Sequence, residues 1–464
     1  MKQDFPKVGK IPGDFSKHWK IATSVLLLLV AAACFWLSGR MNEPLLGLRK
    51  HYRLDQGDPL ENSPPLVAFT TVAMGGFRGI LADVLWIRAS TLQEEGKYFE
   101  LVQLADWITK LEPRLADVWA FQAWNLAYNI SVFFDAPEDR WRWVRHGIEL
   151  LRDEGLRYNP GNASLCRELG WMFQHKIGAA YDSMHMVYKQ AWAREMMALF
   201  DGPRPDYANL SAAVSNRLMA AYKLNPAVME RIDRDYGPLD WRLPPAHALY
   251  WALESRRFAE GFDAVSADRM IFQSMADEFK AGSLLFHPEE GVFVPMPNFD
   301  VLPKAQAAYE KAIADYPEQS TMKQAYENFL HDAVVILFSS GRNDEARRIL
   351  DEVQKRFPSE QRPRGLDDFL YWTITDGTPR LSRETAMTML EGVEYQNVFW
   401  QSLGEDDMAR GCKQLAEICR KKAIAASGEK LPPLKEFRDS ARARLLENPP
   451  SSKALERLTS AAGS

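Results

Sequence analysis

Apolar residues fall into two patterns along this chain. One is an unbroken run: from Trp19 to Leu37 the sequence reads WKIATSVLLLLVAAACFWL, with no charged residue between Lys20 and Arg40. The other begins near Leu85 and continues almost to the C-terminus, with apolar residues three and four positions apart and Pro, Gly or Asn between the groups. That spacing keeps side chains on one helical face, so it predicts successive amphipathic helices. Few stretches alternate as strands do. The expected fold class is all-α, an N-terminal transmembrane helix followed by an irregular helical-repeat array.

At about 1.5 Å per residue the first run spans roughly the hydrocarbon thickness of a bilayer, and Trp19 and Trp36 stand where interfacial aromatics belong. Lys2, Lys7, Lys10, Lys17 and Lys20 precede it, against Arg40, Arg49, Lys50 and Arg53 after it, a bias that places the main body outside the cytoplasm. The sequence Val30-Ala31-Ala32-Ala33-Cys34 resembles a bacterial lipobox, so lipidation of Cys34 is the rival form of tether. Either reading leaves the main body outside the cytoplasm and tethered to a membrane, and the single-pass anchor expects a bacterial inner-membrane protein with a periplasmic body. A second apolar stretch, Leu66 to Trp86, contains Arg78, Asp83 and Gly75-Gly76, and is expected as a buried or membrane-grazing helix rather than another span.

The helical pattern repeats itself. Leu85 with Ala89 is matched 34 residues later by Trp119 with Ala123. Between them come Gly96, then Leu101, Ala105 and Ile108, then Pro113, in the order turn, second helix, stop. Gly341 is followed in the same way by Ala346, Leu350, Val353 and Pro358, and Ala305, Tyr309, Ala312 and Pro317 keep the same offsets. With these features the chain resembles the tetratricopeptide repeat (TPR) superfamily, whose repeat period is about 34 residues. Trp119-x2-Gln122-Ala123-x2-Leu126 and Cys166-x2-Leu169-Gly170-x2-Phe173 stand in the positions of that family's first-helix motif. The resemblance implies stacked helix pairs whose concave face holds a protein or peptide. Trp119 and Cys166 lie 47 residues apart, and the Ala305 and Ala346 units 41, so the array is expected to be irregular.

The resulting organisation is a short cytoplasmic tail over 1–18, the anchor over 19–38 and a linker over 39–65. TPR-like repeats follow over 66–200, then an irregular helical segment with a Pro-rich loop over 201–300. TPR-like helices over 301–360, C-terminal helices over 361–428 and a partly disordered tail over 429–464 complete it. Within the irregular segment, residues 288–303 hold four prolines and are expected as an ordered loop or short extended piece.

Composition narrows the function. With 57 basic and 62 acidic residues intermixed, the chain has no electrostatic footprint for nucleic acid. Its four cysteines form no close C-x2-C pair, which argues against a zinc site of that type. There is no Gly-rich phosphate loop, no H-E-x-x-H and no G-x-S-x-G, and His175 and His185 lack an obvious metal-ligating partner. No catalytic, cofactor or metal residue is assigned, and no cofactor is expected.

The densest concentration of site-like residues is Asp240, Trp241, His247 and Trp251, the last two one helical turn apart. Exposed rings there would make a ligand or partner surface. Buried rings, with Asp240 paired to Arg242, would make a helix start. The functional expectation is a membrane-anchored scaffold that binds partner proteins in an envelope transport, secretion or assembly complex. The alternatives are an extracytoplasmic module that binds a glycan or lipid precursor, and a helical glycan hydrolase with two carboxylates from distant helices.

Overall fold

The computed structural model describes residues 13–51, 77–378 and 380–460. It divides into two units, Met1–Ala73 and Met74–Ser464. In the first, α1 (Gly13–His51) is one helix of 39 residues, so helix replaces the beginning of the expected linker. Leu26 to Leu29 on α1 are 61 to 70% exposed. Among the described residues no helix is long and apolar enough to cross a membrane. Residues 66–76, expected to begin the lead-in helix, lie outside the described residues.

The second unit is helical apart from one hairpin. It opens with α2 (Phe77–Glu94) and α3 (Tyr98–Leu111). Gly96 turns the chain between them at φ +70°. The N–H of Lys97 reaches back to the carbonyl of Leu92 at 2.9 Å, closing the end of α2. The expected second-helix residues Leu101, Ala105 and Ile108 are all buried. α3 stops at Glu112, φ −126°, because a residue before proline is driven out of the helical region.

Each of the next three helices runs on into a π-helical turn: α4 (Ala116–Trp124) into Asn125–Ile130, α5 (Pro137–Glu149) into Leu150–Gly155, and α6 (Ala163–Trp171) into Met172–Gly178. α7 (His185–Met197), α8 (Ala212–Ala221), α9 (Pro226–Tyr236), α10 (Pro244–Phe258) and α11 (Gly261–Ala281) follow. α6 packs across α10 rather than on a helix next to it in the chain. Gly170 permits this, since a Cβ there would stand 2.7 Å from Met270 Sδ and 3.3 Å from the Ala248 carbonyl. After α11 the chain forms β1 (Ser283–His287) and β2 (Val292–Met296), antiparallel with Leu285 opposite Val294. The Pro-rich segment is thus extended in part, as one arm of a hairpin that starts before its first proline.

Helix pairs then resume with α12 (Leu302–Asp315), α13 (Ser320–Ser339), α14 (Asn343–Arg356), α15 (Leu366–Ile374), α16 (Arg383–Leu403) and α17 (Asp406–Ser427). The Gly96 turn recurs twice. Gly341 takes φ +77° and Gly404 φ +84°. The next N–H bonds back from Arg342 to Leu337 at 2.9 Å and from Glu405 to Trp400 at 3.0 Å. The pre-proline stop recurs too, at Tyr316 and Phe357, with φ of −132° and −127°. A core from Trp119 to Phe437 joins these helices.

The C-terminal segment carries two helices, one over the amphipathic stretch that begins at Leu434 and one beyond it. α18 (Leu434–Glu447) and α19 (Ser452–Ser460) occupy most of 429–464. α19 is held because it buries Ala454 and Leu458, and Arg457 donates to the Ser402 carbonyl at 3.1 Å.

Candidate functional site

Asp240, Trp241, His247 and Trp251, which the sequence offered either as a surface or as a helix start, are core residues. Asp240 and Trp251 are each 4% exposed, and Trp241 and His247 are fully covered. A ring with no open face cannot stack on a ligand, so these residues form a helix start and not a ligand or partner surface. The reason lies in the partners these residues find. Asp240 accepts a fork from Arg242, Nε at 2.8 Å and Nη2 at 2.6 Å. Trp241 Nε1 donates to Asp233 Oδ2 at 2.8 Å, and His247 Nε2 meets the Trp241 carbonyl at 2.8 Å. Burial lowers the His247 imidazole to about 4, so it sits uncharged among Phe173, Trp192 and Trp241. Trp251 lies edge-on to Tyr250. This cluster fixes the start of α10.

The open chemistry lies beside it. A cavity of about 660 Å³ is walled by the π-helical turn after α6, the N-terminus of α10 and the end of α11. A second, of about 540 Å³, lies between α7, β2 and the end of α16. Lys189, Ala281 and Pro295 line both. Cavities of this size suit a small organic ligand or a short segment of chain.

Lys189 stands where the two meet. It is 7% exposed, and its Nζ lies 2.7 Å from His185 Nδ1, one turn earlier on α7. Burial lowers its ammonium to about 8, with the charge of Asp277 opposing the shift. Burial likewise lowers the His185 imidazole, with Lys189 adding to it, so Nδ1 is an acceptor for the ammonium. Asp277, on α11, is the single carboxylate lining the larger cavity. Burial raises its carboxyl to about 6, against a hydrogen bond from Gln174 Nε2 at 3.1 Å and the charges of Lys280 and Lys189. An amine and a carboxyl therefore share one largely apolar space, each pushed towards its neutral form.

Trp171 and His175 line the larger cavity and carry further rings beside them. His175 stacks on Trp171 with centroids 4.7 Å apart and planes 8° from parallel, and Tyr181 lies 5.0 Å from the same imidazole. Trp171 is 37% and Tyr181 77% exposed. Tyr128 OH meets His175 Nδ1 at 3.1 Å, which joins the π-helical turns after α4 and α6. Behind them Lys176 is fully buried against Asp182 at 2.6 Å, and Asp182 also takes Arg140 at 3.2 Å and Tyr188 OH at 3.1 Å. Burial alone would raise Asp182, but the donors from Lys176, the Met184 N–H and Tyr188 hold its carboxyl below the usual range. This cluster braces the wall, and π-helical turns of this kind recur at functional sites.

Reasoning from the sequence did not select Lys189, Asp277, Gln174, Trp171 or Tyr181. One local signal was available: Lys189 shares the buried side of α7 with Tyr188, Trp192, Ala193 and Met196, an uncommon place for a charge. Its place beside the same cavity as Asp277 had none, because that depends on how distant helices pack. Among the described residues no group of three or more His, Cys, Asp or Glu side chains is placed to hold a metal ion. Comparison with known protein families and with curated proteins finds no match.

Proposed function

We propose that the protein is a membrane-anchored scaffold, a TPR-like helical array tethered by its N-terminal helix, that holds a partner protein of an envelope transport, secretion or assembly complex. The observation that carries this reading is the recurring helical hairpin. A glycine turn, a second helix and a pre-proline stop follow one another twice, at Gly96 with Glu112 and at Gly341 with Phe357, while Gly404 repeats the turn alone and Tyr316 the stop alone. Stacked units of that kind generate long grooved faces suited to protein segments. The anchor is supported by the sequence from Trp19 to Leu37 and by the helical backbone that runs unbroken through it. A row of leucines left in water would be costly, at about 25 cal/mol per Å² of apolar surface, and a bilayer removes that cost. The positive charges before the run favour an extracytoplasmic body.

The test is chemical crosslinking of the full-length protein in native membranes, followed by mild-detergent purification and mass spectrometry. Reproducible recovery of one membrane complex, weakened by charge substitutions at Trp171 and Tyr181, is the expected result. Recovery of no protein partner, with a glycan or lipid copurifying instead, overturns the scaffold and favours a precursor-binding module.

A further inference from the structure

We infer that the cavity at Lys189 is a binding site for a molecule with an apolar body and a carboxylate end, the carboxylate meeting the Lys189 ammonium. Such a site goes beyond the scaffold reading and does not depend on it.

Lys189 has lost most of its hydration, being 7% exposed. Burying an ammonium is costly unless it is paired and hydrogen-bonded. The described contact of Nζ is the ring nitrogen His185 Nδ1, which accepts one of three N–H bonds and brings no charge. The ion pairs of the described residues supply carboxylates to Lys176, Lys280 and Lys311, but none to Lys189. The amine instead faces two cavities, the larger walled mostly by apolar groups such as Trp171, Leu243, Pro244 and Pro295. A ligand carboxylate there would accept the remaining N–H bonds while its apolar part covers those side chains. Charge-assisted bonds of this kind are about twice as strong as neutral ones.

Asp277 sets the affinity rather than receiving the ligand. Its carboxylate shares the cavity and repels an incoming anion, while its bond from Gln174 holds it in place. Neutralising the two residues therefore has opposite consequences. Losing the charge at Lys189 weakens binding, and losing it at Asp277 strengthens binding. A purely structural role for either residue does not predict that reversal.

The experiment is isothermal titration of the full-length protein with four soluble probes: octanoate, octanamide, N-acetyl-Leu-Phe and its C-terminal amide. At least one acid is expected to bind at least tenfold more tightly than its amide. Lys189→Met should lower the affinity for that acid by about tenfold, and Asp277→Asn should raise it about threefold or more. Binding of octanoate alone assigns the carboxylate to an acyl chain, and binding of the peptide alone assigns it to a protein C-terminus. The inference is overturned if neither acid binds, if acid and amide bind alike, or if Asp277→Asn weakens acid binding. Should Lys189→Met fail to fold, the acid and amide pairs and Asp277→Asn still decide it.

Discussion

Glu278 has no exposed surface, and Asn298 Nδ2 reaches its Oε1 at 3.2 Å while Oε2 has no partner among the described atoms. Burial raises this carboxyl well above its ordinary value, and the charges of Asp240 and Asp233 act in the same sense. The folded chain therefore keeps a proton that the unfolded chain releases above about 4.5. The stability this provides is fully present below that pH and drains as pH rises, by at most about 1.4 kcal/mol per unit. His247 has the opposite sign: its imidazole falls from 6.5 to about 4, so its contribution is present above 6.5 and is lost as pH falls towards 4. Glu278→Gln isolates the first effect, since His247 is common to both proteins. The melting temperature of the variant relative to the parent should climb as pH rises above about 4.5. A difference that stays constant over that range would refute a protonated Glu278.

At the scale of elements, glycine decides where helices touch. α17 crosses the end of α13 at Gly411, where a Cβ would stand 2.5 Å from the Ser339 carbonyl oxygen and 2.6 Å from that of Phe338. Both are backbone atoms of a helix end that cannot swing aside, so Gly411→Ala should cost about 1–3 kcal/mol. Gly392 lies within α16, and a Cβ there would have no neighbouring atom within 4 Å. At that position the same substitution should stabilise, by up to about 1 kcal/mol, through helix propensity alone. Urea midpoints of the two variants should shift in opposite directions. Equal shifts would mean that the α13–α17 contact is looser than the structure has it.

At the scale of the whole second unit, the C-terminal helix is part of the packing rather than a loose end. Leu458 joins Val398, Ala441 and Leu445 in a separate small core, and Lys453 pairs with Glu290 at 3.1 Å, tying α19 to the turn between the β-strands. Removing residues 451–464 uncovers that core and frees the turn. The expected outcome is a melting temperature lower by several degrees, together with faster amide exchange in α16 and the hairpin. Unchanged exchange in both would show that α19 is a passive passenger.

Much of the fold was legible because it is made locally. The three- and four-residue spacing announced the helices, Gly96 and Gly341 marked their turns, and Pro113, Pro317 and Pro358 marked their stops. Each of these effects acts within a few residues: a left-handed φ that glycine tolerates, or a clash between proline and the residue before it. Gly404 repeats the same turn without the same run of residues after it, so only its backbone conformation reveals it. The Asp240–Trp251 cluster shows the limit of such reading. Its sequence pattern allowed an aromatic surface or a helix start, and only the packing of Phe173, Trp192 and Asp233 against it decided for the core. The cavity at Lys189 was decided in the same way. Burial and charge depend on what lies opposite a side chain in space, and α6 crossing α10, like α11 and α7 lining one cavity, is a fact of tertiary structure that no local spacing encodes.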